Sequence, residues 1–102
     1  MPPTFSIVIP CKDEAESIGA VLDDIGRVFA GGEMPTVVVV DDGSTDDTAA
    51  VAERRALRPR VARHATSRGY GEAIKTGISS ATGDVACIMD GEIGRASCRE
   101  RV

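Results

Sequence analysis

The feature that most constrains the fold is a pair of short, continuously apolar runs in the first 40 residues. Residues 5–10 read FSIVIP and residues 36–40 read TVVVV, without the polar alternation of a half-exposed strand. Strands that are apolar on both faces are typical of a parallel sheet covered by helices on both sides. These runs therefore predict two buried strands of an α/β fold.

Helical patterns separate these strands. Apolar residues recur at helical spacing between Ile18 and Phe29 and between Tyr70 and Ala81, which predicts two amphipathic helices. A shorter alanine-rich helix is predicted to end near Arg55, and further strands are predicted at residues 60–64 and 84–89. The order β-α-β-α-β-α-β predicts a parallel sheet with right-handed crossovers.

Two pairs of polar residues have the spacing of capping boxes at the predicted helix starts. Asp13 is followed three residues later by Glu16, and Ser44 by Asp47. In such a box each side chain bonds a free backbone N–H of its own helix. We therefore expect these pairs to cap the first and second helices.

Composition limits the classes of partner. The net charge is −4 and aromatic residues are 3% of the 102 residues, which argues against a nucleic-acid-binding surface. The sequence has three cysteines, Cys11, Cys87 and Cys98, and no CxxC pair. An odd number of cysteines without this motif favours reduced thiols in a cytoplasmic protein. No apolar run is long enough to be a transmembrane segment.

Acidic residues follow three of the predicted strands. Glu14 follows the first, Asp41 and Asp42 follow the second, and Asp90 and Glu92 follow the fourth. In an open parallel sheet, ligands bind beyond the carboxyl ends of the strands, where the strand order reverses. With the order 3-2-1-4, these acids converge on one crevice, which suits a nucleoside diphosphate bridged by a divalent cation.

Each polar group has a chemical role in such a crevice. Asp41 can accept from base N–H groups and Glu14 from ribose hydroxyls. Asp90 and its neighbour at position 92 supply the oxygen ligands that Mg²⁺ or Mn²⁺ prefers. Arg68 and Lys75, near the start of the third predicted helix, balance the remaining diphosphate charge together with free N–H groups there.

Taken singly, these features are common structural ones. Residues 41–43 can form a polar turn, and residues 90 and 91 are an ordinary strand exit. His64 is most simply a surface residue at a strand end, and we assign it no role. Residues 69–71 resemble part of a dinucleotide fingerprint, but Ile74 stands where that motif needs its third glycine.

Four segments taken together resemble glycosyltransferase family 2, of the GT-A type. They are SIVIPCKDEAESI, VVVVDDGSTDDT, SRGYGEAIKTGISSATGD and IMDG, and the resemblance covers residues 5–91. It looks closest to polyprenyl- and dolichyl-phosphate sugar transferases. It implies a Rossmann-like nucleotide-sugar-binding half, and metal-dependent transfer of a sugar from a nucleoside diphosphate-sugar to an acceptor such as polyprenyl phosphate.

The resemblance also implies roles for particular residues. Those implied to bind the nucleotide-sugar lie after strands or at the start of the third helix: Pro10, Lys12, Glu14, Asp41, Asp42, Arg68, Gly71 and Asp90. Asp90 would open the metal motif, whose second acid is an aspartate in the family and Glu92 here. The family's catalytic base and acceptor site have no counterpart in this sequence.

The last eleven residues, EIGRASCRERV, continue neither the periodicity nor the turn pattern. The string matches one reading frame of a common short-read sequencing adaptor. We therefore expect a domain part at residues 1–91 and a non-native tail at residues 92–102. The chain would then be an N-terminal fragment, inactive alone, with an unpaired edge at its fourth strand. The full-length protein would be cytoplasmic, with peripheral contact to the inner face of the membrane.

Two other classes of function remain open from the residues. A receiver-like signalling domain also places acids at strand exits, but its acidic pair follows the first strand, and here a strand and a helix precede it. A non-catalytic nucleotide-binding remnant would keep the crevice and lose the chemistry. The fold alone does not decide among these functions.

Overall fold

The computed structural model describes residues 5–81 and 85–89 in full and residues 96–100 as backbone. It confirms the predicted alternation of strands and helices. The elements are β1 (Phe5–Cys11), α1 (Ala15–Val28), β2 (Thr36–Asp42), α2 (Thr48–Glu53), β3 (Arg60–His64), α3 (Tyr70–Ser80), β4 (Val85–Met89) and β5 (Ala96–Glu100).

The sheet has the order β3-β2-β1-β4-β5. The first four strands are parallel, with Val8 opposite Val38 on one side and Ile88 on the other. This confirms the expected order 3-2-1-4. The order reverses between β1 and β4, so the carboxyl end of β1 lies at the switch point where open α/β sheets bind ligands.

Helices cover both faces of this sheet, and strand residues alternate between the two. The odd-numbered residues Ile7, Ile9, Val37 and Val39 share a core with Ile18, Leu22 and Ile25 of α1 and Ala52 of α2. The even-numbered residues Val8, Val38, Val40 and Ile88 pack with Ala73 of α3. Burial on both faces explains why β1 and β2 are continuously apolar.

The fifth strand differs from the sequence expectation, which placed no element after residue 91 and left β4 at an open edge. Ala96–Glu100 pairs antiparallel with β4, with Cys87 opposite Cys98. The physical reason is the row of unpaired N–H and C=O groups that an edge strand presents to any extended segment. Gly83 and Asp84, at the predicted start of the fourth strand, lie outside the described residues.

Within the described part of the chain, none of the helices combines the length and the apolar character that crossing a bilayer requires.

The helix α3 approaches the sheet closely at Gly77. A Cβ added at Gly77 would fall inside the van der Waals contact distance of Val8 Cγ1, and it would lie 3.2 Å from Val40 Cγ2. Both valines are fully buried. The absence of a side chain at Gly77 therefore sets the spacing between α3 and the sheet.

We predict that Gly77→Ala lowers the free energy of unfolding by about 1–3 kcal/mol, because the added methyl group overpacks the core. Gly26→Ala is the matched control, since a Cβ at Gly26 in α1 meets nothing within 4 Å. It should raise stability by about 0.5–1 kcal/mol through helix propensity. Urea denaturation followed by circular dichroism measures both, and equal stability of Gly77→Ala and wild type would contradict the packing described.

Candidate functional site

A cleft of about 300 Å³ opens at the carboxyl ends of β1 and β2, beside the first turn of α3. Its walls come from the loop after β1, the end of β2, and the loop that leads into α3. The lining residues are Pro10, Cys11, Lys12, Glu14, Asp42, Ser67, Gly69, Tyr70 and Ala73. The cleft therefore lies at the edge of the sheet where the sequence predicts ligand binding.

Four of the predicted nucleotide-binding residues line this cleft, namely Pro10, Lys12, Glu14 and Asp42. Ser67 and Tyr70 also line it, although the sequence singled neither out. The glycine-bearing loop of residues 67–71 was the available signal. Gly69 adopts φ +98° at the start of α3, and this backbone conformation, which a sequence does not show, sets which loop residues face the cleft.

The other predicted residues lie outside the lining. Asp41 is buried and its Oδ1 accepts from the Ser44 amide at 3.0 Å. Lys75 is exposed on α3, with its Nζ 3.5 Å from Glu72 Oε1. Arg68 and Gly71 are exposed next to lining residues. The two predicted metal ligands, Asp90 and Glu92, lie outside the described residues.

The predicted capping boxes are wrong. The N-cap residues of α1 and α2 are Glu14 and Asp47, and neither makes a side-chain cap bond. Side chains from the loop after β2 and from the first residue of α2 cap α1 instead. Thr48 Oγ1 accepts from the Glu14 amide at 2.9 Å, and Asp46 Oδ2 accepts from the Ala15 amide at 3.2 Å.

The bonds between these two loops run in both directions. Ser44 Oγ accepts from the Asp13 amide at 2.8 Å, and Asp13 Oδ1 accepts from the Thr45 amide at 2.7 Å. The two loops leave neighbouring strands at the same edge of the sheet, so tertiary contact replaces local capping. As a result, the loop that carries Lys12 and Glu14 is fixed by the loop that follows β2.

Asp42 is the most heavily bonded carboxylate of the site. Its Oδ1 accepts from His64 Nδ1 at 2.7 Å and from the Arg68 amide at 2.8 Å. Its Oδ2 accepts from Ser67 Oγ at 2.9 Å and from the Gly69 amide at 3.0 Å. An ionised carboxylate has about four acceptor positions, so these four donors fill the capacity of Asp42.

Two opposing effects act on the pKa of Asp42. Burial works to raise it, whereas bonds from the Arg68 amide, His64, Ser67 and the Gly69 amide lower it, and the net effect holds the pKa well below its usual range. Asp42 is therefore ionised at neutral pH, with its charge distributed over donors that the protein itself supplies.

His64 is buried, with 7% of its surface exposed, and the expectation of a surface residue is wrong. It lies opposite Asp42 in the register of β2 and β3, on the sheet face that α3 covers. Its Nε2 is 2.8 Å from Thr76 Oγ1 of α3. The sheet register, which the local sequence does not reveal, is the reason for its burial.

Gly43 lets the two loops of the site approach each other. It adopts φ +71°, and a Cβ there would clash with the Ser67 backbone nitrogen. Any other residue would be strained by the backbone conformation and would also push the loop of residues 67–69 away from Asp42.

Cys11 lines the cleft but is not a reactive thiol. It is buried in the core on the α1 face, as expected for a cysteine that packs as a small apolar group. Burial first, and then the charges of Glu14, Asp41 and Asp46, raise the pKa of its thiol. Its Sγ donates to the Val40 carbonyl at 3.5 Å, so the protonated form is the one that the site holds.

Among residues 5–81 and 85–89, there is no group of three histidine, cysteine, aspartate or glutamate side chains that could hold a metal ion. The expected ligands Asp90 and Glu92 follow directly after β4 in the chain, whose residue Ile88 pairs with Val8 of β1. A metal site formed by them would belong to the strand that borders the switch point.

The sequence from residue 6 to residue 91 matches the family model of glycosyl transferase family 2. This match includes the strands, loops and helix that build the cleft. The chain belongs to glycosyltransferase family 2, and its first four strands have the parallel arrangement of the GT-A fold.

Named relatives show how similar the chain is to characterised proteins. It is 32% identical over 98 residues to the glucosyl-3-phosphoglycerate synthase of Mycolicibacterium smegmatis, covering 88% of this chain and 31% of that one. The mannosyltransferase of Pyrobaculum calidifontis, solved with GDP-mannose and Mn²⁺, superposes with a TM-score of 0.79 at 29% identity. That superposition covers 90% of this chain and 28% of the other.

The glucosyl-3-phosphoglycerate synthase of Mycobacterium tuberculosis, solved with Mn²⁺, UDP and glucosyl-3-phosphoglycerate, superposes with a TM-score of 0.73 at 30% identity. The match covers 87% of this chain and 33% of that one. The chain thus spans about a third of the length of these relatives. Two of the three are named for phosphoglycerate glycosylation, so the expected similarity to polyprenyl- and dolichyl-phosphate sugar transferases is wrong.

We predict that Asp42→Asn lowers the free energy of unfolding at pH 7 by at least about 2 kcal/mol, because an amide cannot accept all four bonds. The folded pKa is depressed, so this stabilisation is present above the unfolded pKa of about 3.9 and is lost as the pH falls further. The difference in free energy of unfolding between wild type and variant should therefore become smaller below about pH 4.

Urea denaturation across pH 3–7 measures this gap. Asp47→Asn is the control, since Asp47 is exposed and makes no side-chain cap bond, and it should change stability by less than about 0.5 kcal/mol. If the stability difference between Asp42→Asn and wild type stays constant down to pH 3, the ionised carboxylate is not the cause of that difference.

Proposed function

We propose that the chain forms the nucleotide-binding part of a glycosyltransferase that transfers a sugar from a nucleoside diphosphate-sugar to an acceptor. The observation that carries the proposal is the cleft at the switch point of the sheet, lined by Lys12, Glu14 and Asp42. Membership of glycosyltransferase family 2 supports it, as do solved relatives that hold GDP-mannose or UDP.

The nucleoside would lie against the loops after β1 and β2. Glu14 accepts from the ribose hydroxyls in this proposal, and Pro10 and Lys12 complete the wall. Asp41 and Asp42 would contribute the base contact. The four acceptor positions of Asp42 are filled by His64 and the loop of residues 67–69. Asp42 would therefore support the base contact indirectly, by holding the loop that forms the wall of the cleft.

The diphosphate would lie towards the start of α3. The first N–H groups of a helix attract anions, and this helix has eleven residues beginning at Tyr70. Arg68 and Gly71 would flank the diphosphate, with Lys75 one turn further along adding positive charge. Exposed basic side chains next to the cleft can reorient towards an anion at small cost.

Asp90 and Glu92 would hold Mg²⁺ or Mn²⁺. Carboxylate oxygens suit both ions, and Mn²⁺ accompanies the nucleotide in the two solved relatives described above. A divalent ion there would supply Lewis-acid stabilisation of the leaving diphosphate. Glutamate has the donor atoms of the family's aspartate on a side chain longer by one methylene group.

The acceptor suggested by the names of the relatives differs from the one that the sequence resemblance implies. The sequence resemblance pointed to polyprenyl phosphate at the membrane face. The names of the relatives favour a small phosphorylated acid such as 3-phosphoglycerate, reached from the cytoplasm. Both acceptors offer an anionic phosphate, and we propose the soluble one.

We predict that the chain binds UDP or GDP in the presence of Mn²⁺, and that Glu14→Gln raises the Kd about tenfold by weakening the ribose bonds. Glu33→Gln is the control, because Glu33 is exposed in the connection between α1 and β2, at the opposite ends of the strands. Isothermal titration calorimetry measures all three proteins. Absence of binding to both nucleotides, or equal effects of the two substitutions, would refute the proposed pocket.

A further inference from the structure

His64 forms the centre of a hydrogen-bonded chain that the proposed nucleotide contacts do not use. Its Nδ1 lies 2.7 Å from Asp42 Oδ1 and its Nε2 lies 2.8 Å from Thr76 Oγ1. The imidazole therefore connects the end of β2 to the middle of α3. Both His64 and Asp42 are more than nine-tenths buried.

The direction of these bonds follows from the charge of Asp42. An ionised carboxylate only accepts, so Nδ1 of His64 carries the proton and donates to it. In the neutral imidazole Nε2 is then an acceptor, and the Thr76 hydroxyl donates to it. With a neutral imidazole, these hydrogen bonds run in one direction, from Thr76 through His64 to Asp42.

A hydroxyl, an imidazole and a carboxylate in this order also occur in nucleophilic enzymes. Here the hydroxyl does not line the candidate site, because neither Thr76 nor His64 is among the residues that line the cleft. The arrangement is therefore suited to fixing Asp42 and not to attacking a substrate.

Asp42 passes this constraint on to the wall of the cleft. It accepts from the amides of Arg68 and Gly69 and from the Ser67 hydroxyl, and Ser67 and Gly69 line the cleft. Residues 67–69 have no regular secondary structure. The position of this segment relative to β2 therefore depends on the orientation of one carboxylate.

We propose that His64 is a positioning residue for the nucleotide site. It fixes the rotamer of Asp42, and through Asp42 it holds residues 67–69 at the distance from Lys12 and Glu14 that a bound nucleoside diphosphate needs. This role rests on the proposed function, since it assigns His64 to the same cleft. His64 itself touches neither the nucleotide nor the metal.

Two readouts test the role: the Kd for UDP or GDP with Mn²⁺, and the hydrogen-exchange rates of the Arg68 and Gly69 amides measured by NMR without nucleotide. His64→Ala should raise the Kd about tenfold, which is the lower end of the loss of about 10- to 100-fold caused by removing the partners that orient metal ligands. It should also accelerate exchange at these two amides relative to amides of β1.

Thr76 provides a pair of milder variants in case His64→Ala fails to fold. Thr76→Val keeps the shape and removes the hydroxyl, whereas Thr76→Ser keeps the hydroxyl. We expect Thr76→Val to raise the Kd severalfold and to loosen both amides, and we expect Thr76→Ser to restore wild-type values.

Ile88→Val controls for a general loss of stability, because Ile88 is buried on the same face of the sheet but belongs to β4. It should leave the Kd and the relative exchange rates unchanged. Wild-type exchange rates and Kd in both His64→Ala and Thr76→Val would overturn the positioning role, as would loosened amides with an unchanged Kd.

The two proposals fail in different ways. If the wild-type chain binds neither nucleotide, the proposed function fails, and the exchange rates still decide whether His64 holds residues 67–69. If the wild type binds and neither His64→Ala nor Thr76→Val changes the Kd, the pocket stands and the role of His64 is refuted.

Discussion

The carboxylate of Asp42 is the point at which the sheet, the loops and the cleft of this protein are joined. It stands at the end of β2 and accepts from His64 of β3 and from three donors in the loop before α3. A buried charge is tolerated only where hydrogen bonds replace water, and four donors do so here. The cost of losing any of them holds residues 67–69 against the end of β2.

A second set of bonds fixes the opposite wall. The loop after β1 exchanges bonds with the loop after β2 and with the first residue of α2, through Asp13, Ser44 and Thr48. Gly43 allows the close approach of the third loop, residues 67–69. All three loops are therefore tied to the β2 strand end, although none of them has a helix or strand of its own. Preorganised loops on a rigid sheet are what a nucleotide site needs, because little ordering remains to be done when the ligand binds.

The strands and helices followed from the sequence because their periodicity reports burial directly. The run VVVV is buried on both faces, and residues 60–64 form the third strand as predicted. The caps and the burial of His64 did not follow, because their partners are distant in sequence. The strand β5 did not follow, because its residues carry no strand periodicity. Asp13 bonds Thr45 in place of its own helix, His64 faces Asp42 through the strand register, and Ala96–Glu100 pairs with β4. Of the site, the strand-exit residues were predictable, whereas the lining by Ser67 and Tyr70 depended on loop conformation.

In the proposed function a nucleoside diphosphate binds at the switch point, between the loops after β1 and β2 and the start of α3. The most direct measurement is two-dimensional amide NMR of the chain titrated with UDP or GDP in the presence of Mg²⁺. Binding at this place should give saturable shifts confined to residues 10–14, 41–44 and 67–71. Shifts centred elsewhere, for instance on the arginine-lined cleft of residues 53–61, or no shifts at millimolar nucleotide, would contradict it.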